Sequence, residues 1–253
     1  MKTLYLLAGC NGAGKTTAAF TLLPGLLGCR EFVNADEIAR GLSPFRPETV
    51  SIQAGRLMLA RLHELLGAGE TLALETTLAT RIYLPIVAKA RAQGYVIRLL
   101  FFWLNAPDLA VRRVAARVRE GGHNIPEPTI RRRYEGGVGQ FFGAYRTAVD
   151  DWLLFDNSNG AGALIAAGDA SATTVAKPDI WHQLTPPTTA APKAAALETA
   201  QFGSQVQLSL AEAYNAMLAF KKYKQSPVII SRAGQIVAVP PEDMPPAPLP
   251  PQP

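Results

Sequence analysis

The stretch "LLAGCNGAGKTT", Leu6–Thr17, decides the fold, and it can be read in two registers. With Lys2 upstream it has the outline of a lipoprotein export signal, an apolar run closed by small residues and a Cys that receives lipid. Such a signal needs an apolar segment of about 7 to 15 residues. Only Thr3 to Gly9 is available here, with no room for flanks. Shifted by three residues, the same letters open G-x-x-x-x-G-K-[ST], filled by Gly9, Gly14, Lys15 and Thr16, directly after the apolar run "TLYLLA". The second register satisfies motif and context together.

In that register the letters have physical reasons. Gly9, Gly12 and Gly14 let the backbone turn its N–H groups inward, so that a phosphate sits in a nest of donors at the start of the next helix. Asn11 and Ala13 complete the loop, and Thr17 continues into the helix. Lys15 reaches the β- and γ-phosphates as a point charge, and the Thr16 hydroxyl is the expected ligand of Mg²⁺. The expected cofactors are therefore ATP and Mg²⁺, held by Gly9 to Thr17.

The chain of 253 residues is long enough for one domain of ordinary size plus an appendage. A formal charge of +5 and a pI near 9.3 suit an anionic small molecule as well as nucleic acid. Cys10 and Cys29 are the only cysteines, too few for a disulfide framework and without zinc-ligand spacing, so a cytoplasmic protein is expected. No apolar run approaches the roughly 18 residues of a membrane span.

Continuous apolar runs near Leu4 to Ala8, Phe32 to Ala35, Leu72 to Glu75, Val96 to Leu104 and Trp152 to Phe155 read as buried parallel strands, with helices between them. The helical segment Pro47 to Leu66 presents Ala54, Leu57, Met58, Leu62, Leu65 and Leu66 on one face. The expectation is an α/β P-loop NTPase fold, a five-stranded parallel sheet with helices on both faces and ligands at the strand C-terminal ends. Residues 1–168 form this domain, 169–200 a linker, 201–239 a helix plus β-hairpin turning near Ala233-Gly234, and 240–253 a disordered Pro-rich tail.

A phosphate loop does not supply an acceptor site or a base. "FVNADEIAR" puts Asp36 at the end of the second strand, where a carboxylate can take or orient a hydroxyl proton; as the alternative, it caps the following helix. "TLALETTLAT" places Glu75, Thr76 and Thr77 at the end of the third strand, three polar groups able to bind a polyhydroxylated acceptor or to hold a water on Mg²⁺. "VRRVAARVREGGHNIPEPTIRRRY" reads as two basic helices joined by a Gly- and Pro-rich hinge, a lid whose Arg117 and Arg132 would stabilise a transferring phosphoryl group. Nucleic acid is the competing partner for these arginines, but base-stacking aromatics are not interleaved. His123, in the hinge, is a candidate to touch phosphate; as the alternative, it is an ordinary loop histidine.

"GCNGAGKTT", "FVNADEIA", "LALETTLA", "VREGGHNIPEPTIRRRY" and "LLFDNS", in this order across residues 1–168, resemble the zeta-toxin family of bacterial P-loop kinases, in particular its zeta-like branch whose lid carries "GGH". The later "SPVIISRAGQIVAVPPEDM" looks like the C-terminal extension of that branch. The resemblance implies ATP-dependent phosphorylation of the 3′-hydroxyl on the sugar of UDP-N-acetylglucosamine and an antitoxin partner. It implies Asp36 as base, acceptor contacts at Glu75 and Thr77, and Arg117 and Arg132 as phosphate-stabilising lid residues. Asn157 and Ser158 match a loop bordering the adenine, or form an ordinary turn. Two other functions fit the same letters: a kinase for another small hydroxylated metabolite or antibiotic, and a non-catalytic ATP-binding interaction protein.

Overall fold

The computed structural model describes residues 1–185 and 197–248. Its first five strands are β1 (Thr3–Ala8), β2 (Glu31–Val33), β3 (Leu72–Thr76), β4 (Val96–Trp103) and β5 (Asp151–Asp156). They are parallel, as the apolar runs predict, and lie in the order β2-β3-β1-β4-β5. Two further strands, β6 (Ala163–Gly168) and β7 (Thr173–Val175), continue the sheet antiparallel beyond β5 and bring it to seven strands.

Successive strand residues face opposite ways, so each sheet face buries its own core. On one face Leu4, Leu6, Leu99 and Phe101 pack under α3 (Ser51–Ala68) and α4 (Leu84–Ala92). On the other, Leu7, Leu100, Phe102 and Phe155 pack under α1 (Lys15–Leu22) and α5 (Pro107–Arg119). Two helices bear on the site as well as the core: α2 (Ala35–Leu42), which follows β2, and α6 (Glu127–Gln140), joined to α5 by residues 120–126.

The predicted helix from Pro47 begins as a 3₁₀ turn, Pro47–Val50, before α3 proper. Its buried residues are Ala54, Met58, Leu62, Leu65 and Leu66, whereas Leu57 is exposed. At 100° per residue, Leu57 sits about a third of a turn away from the stripe centred on Met58 and Leu62.

The division after residue 168 differs from the expectation. Residues 173–184 of the predicted linker form β7 and α7 (Pro178–Leu184), because Trp181 has a place in the core, stacked 5.9 Å from Trp152 at an interplanar angle of 3°. Residues 186–196 of that linker lie outside the described residues. Helix α8 (Leu197–Tyr223) lies along α1 and β6, burying Val206 and Leu210 in the main core. The hairpin of β8 (Val228–Arg232) and β9 (Gln235–Val239) turns at Ala233 and Gly234, both at positive φ (49° and 77°), the geometry of a tight hairpin turn. The start of the predicted tail is seated. Tyr214 donates to the Pro245 carbonyl at 3.2 Å, Asn215 exchanges hydrogen bonds with Ala247, and Met244 is buried. Residues 249–253 lie outside the described set.

Candidate active site

Parallel pairing fixes the site's geometry before any side chain is considered. Leu7 of β1 is opposite Glu75 of β3 and Ala8 opposite Thr76, so the loop from Gly9 and the polar end of β3 emerge side by side at one sheet edge. Gly9 has φ 139°, and a Cβ there would lie 2.3 Å from the Phe102 carbonyl oxygen. Gly14 has φ 86°, and its Cβ would meet the Asn157 amide nitrogen at 2.5 Å. That amide donates to the Ala13 carbonyl at 2.6 Å, so Asn157 clamps the outside of the loop. Asn11 and Ala13 are buried, and Thr17 is exposed at the first turn of α1.

Lys15 and Thr16 converge on Glu75. The Lys15 ammonium donates to the Cys10 carbonyl at 3.0 Å and lies 3.6 Å from Glu75 Oε1. The Thr16 hydroxyl is 2.8 and 3.1 Å from the two Glu75 oxygens. Asn34 supplies a further donor to Glu75 at 2.9 Å, while its side-chain oxygen accepts from the Asp36 and Glu37 amides and caps α2. One residue thus couples the acid of β3 to the placement of Asp36. Cys10 is buried, and burial pushes its thiol up to about 11.

A cleft of about 380 Å³ opens in front of this group, lined by Lys15, Asp36, Glu75, Thr76, Thr77, Arg132 and Arg133 among others. Asp36 stands on the α2 wall with its side chain 44% exposed, free to meet a ligand. Thr76 is committed elsewhere. Its hydroxyl accepts the Leu78 amide at 2.9 Å, supporting the left-handed turn at Leu78 (φ 55°). Arg132 projects from α6 with no hydrogen bond or ion pair among the described residues.

Arg117 reaches in from α5. Burial lowers its pKa, and the charge of Asp36 opposes the fall. Its Nη2 donates to the His123 carbonyl at 3.2 Å, and His123 Nε2 is 3.5 Å from Asp36 Oδ2. Lys15, Asp36, Glu75 and Arg132 therefore line one cleft, while Thr16 joins them through Glu75 and Arg117 through His123.

Sequence reading misses Asn34, Arg133 and Tyr83. Arg133 donates to Asn11 Oδ1 at 3.2 Å, and Tyr83 lines the cleft, where burial raises its pKa. An Asn directly before a predicted helix was the available signal for Asn34. Other arginines of the basic stretch are structural. Arg113 donates to the carbonyls of Gly12, Asn157, Ser158 and Ile229, Arg112 to that of Ile236, and Arg131 pairs with Asp108 and Glu127. Asn157 and Ser158 accordingly serve as a brace between the phosphate loop, Arg113 and the hairpin.

A glycine-rich loop between a buried parallel strand and a helix, with Lys15 and Thr16 facing an acid on the neighbouring strand, defines an α/β P-loop nucleotide-binding protein. A family model described as AAA domain matches residues 4–134, and the chain belongs to that family. A Haemophilus influenzae protein described as uncharacterized is 27% identical over 126 residues, 50% of this chain and 88% of that protein. Two solved structures share the fold at low identity. A chain from the crystal structure of AvrRxo1-ORF1:-ORF2 with ATP has a TM-score of 0.59 at 16% identity, over 87% of this chain and 80% of that one. A chain from the PezAT chromosomal toxin-antitoxin system of Streptococcus pneumoniae has a TM-score of 0.55 at 17% identity, over 84% and 88%. Among the described residues, no helix is long and apolar enough to cross a membrane.

Proposed function

We propose that the protein is an ATP-dependent phosphotransferase acting on a hydroxyl group, most specifically the sugar 3′-hydroxyl of UDP-N-acetylglucosamine. The observation that carries this reading is the joint placement of Lys15, Thr16 and Glu75 at the phosphate loop with the exposed Asp36 on the opposite wall of one cleft. A nucleotide switch needs the loop but has no use for an open carboxylate across from it.

In this reading the loop amides and Lys15 hold the β- and γ-phosphates, and the acceptor hydroxyl waits at Asp36. The acceptor oxygen forms a bond to the γ-phosphorus as the bond to the β–γ bridging oxygen breaks. ADP leaves, and the hydroxyl proton passes to Asp36. Arg117 and Arg132 balance the charge spread over the transferring oxygens.

The oxygen donors Thr16 and Glu75 fit Mg²⁺, a hard cation held by few protein ligands with phosphates and waters completing its shell. When bound there, Mg²⁺ would neutralise phosphate charge. Glu75 is thereby better used at the metal than at the acceptor, leaving acceptor contacts to Thr77, Tyr83 and the α2 wall.

The toxin-antitoxin description of the Streptococcus pneumoniae structure supports an antitoxin partner for this chain, and ATP with a nucleotide sugar supports a cytoplasmic site of action. Incubation with Mg-ATP and UDP-N-acetylglucosamine, followed by mass spectrometry, tests the substrate. A product heavier by one phosphate supports it; bound ATP with no such product removes this acceptor, and a panel of sugars and nucleosides then tests the wider class.

A further inference from the structure

Residues 120–126 carry one side chain from α5 to Asp36 of α2. Gly122 lies so close to Arg117 that a Cβ there would sit 2.6 Å from Arg117 Cγ, and its amide donates to the Arg117 carbonyl at 2.9 Å. This tight turn aims the next residue, His123, at α2. His123 Nε2 ends 3.5 Å from Asp36 Oδ2, with the imidazole only 11% exposed. The same nitrogen is 3.5 Å from Arg117 Nη2, which donates to the His123 carbonyl at 3.2 Å. His123 Nδ1 is buried and has no hydrogen-bond partner among the described residues.

We infer that neutral His123, protonated on Nε2, donates to Asp36 and is a positioning residue that fixes this carboxylate for the acceptor hydroxyl. The inference rests on the proposed role of Asp36 as base. An ionised carboxylate only accepts, so it selects the Nε2–H tautomer; the other tautomer would bury an N–H without an acceptor. A neutral ring matters, because an imidazolium would hold Asp36 as an ion pair and weaken it as a base. Burial favours the neutral ring, and the positive charges of Arg117 and Arg40 act in the same direction. Asp36 and Glu37 oppose them. The turn that docks His123 also seats Arg117, so one short segment places both groups.

Two measurements on the full chain test this. Proton–nitrogen correlation NMR reads the tautomer and titration of each of the three histidines, with His123 assigned from the spectrum of His123→Gln. The Nε2–H form is expected near neutral pH. The His123 titration should move to lower pH in Asp36→Asn, which removes a charge favouring imidazolium, and to higher pH in Arg117→Gln. An Nδ1–H tautomer, or a titration indifferent to Asp36→Asn, overturns the inference.

The second measurement is turnover with Mg-ATP and UDP-N-acetylglucosamine. His123→Ala should lower kcat about 10- to 100-fold, the weight of a hydrogen bond to a charged group, with the KM for ATP little changed. His123→Gln, whose amide reaches the same place, should recover most of kcat and lose the acidic decline caused by ring protonation. Undiminished kcat in His123→Ala also overturns the inference. If the wild type makes no product, the acceptor assignment fails while the NMR result still decides the His123–Asp36 pairing.

Discussion

The Thr16 hydroxyl lies 2.8 Å from one oxygen of Glu75 and 3.1 Å from the other, joining the first turn of α1 to the end of β3. Glu75→Gln keeps the shape and removes the charge that Lys15 and a cation would both meet. ATP turnover should fall about 100-fold, as when one preorganised electrostatic partner is lost, and the Mg²⁺ concentration for half-maximal rate should rise. Steady-state kinetics across a Mg²⁺ titration checks both.

Asp36 makes its contact to His123 from an otherwise open wall. Asp36→Asn should leave ATP affinity within about twofold and lower acceptor phosphorylation by about 10²- to 10⁴-fold, the range of a lost general base. Calorimetric ATP titration alongside product assay separates the two effects. Normal turnover in this variant would remove Asp36 as the base.

Arg113 ties four backbone carbonyls from the phosphate loop, the turn after β5 and the hairpin. Burial lowers its pKa to about 10, leaving it charged at neutral pH. Arg113→Met should cost about 3 kcal/mol by stranding those carbonyls, read as a lower urea midpoint. Faster hydrogen exchange in β8 should accompany it.

Asp151, at the start of β5, is pushed up to about 6 by burial, against the pull of Arg98 3.2 Å away. A carboxyl whose folded pKa is raised contributes stability that is complete below its unfolded pKa, near 3.8, and lost as pH rises through about 6. Relative to Asp151→Asn, the wild type should lose on the order of 3 kcal/mol between those limits. Urea unfolding of both proteins across this interval measures it.

Much of this was readable from local sequence. Five strands announced themselves because strands buried on both faces must be apolar throughout, and the loop because only glycine fits against Phe102 and Asn157. The antiparallel β6 and β7 were hidden: "ALIAAG" and "TTV" are short, and their place depends on Gly168 passing under Trp152, where a Cβ would lie 2.6 Å from the indole. The arginines of "IRRRY" show a second limit. Helical phase turns each by 100°, sending Arg131 to Asp108, Arg132 to the cleft and Arg133 to Asn11. Which one faces the phosphate depends on how α6 docks, a tertiary fact. Asn34 was hidden for the same reason, since its bond to Glu75 spans two strands.

Phosphorus and proton NMR of one reaction, containing the protein, Mg-ATP and UDP-N-acetylglucosamine, tests the central claim most directly. The account predicts ADP and, in equal amount, a phosphomonoester coupled to the proton on the sugar's third carbon, with neither formed at a comparable rate by Asp36→Asn. ATP converted only to ADP and free phosphate, with UDP-N-acetylglucosamine unchanged, would contradict it.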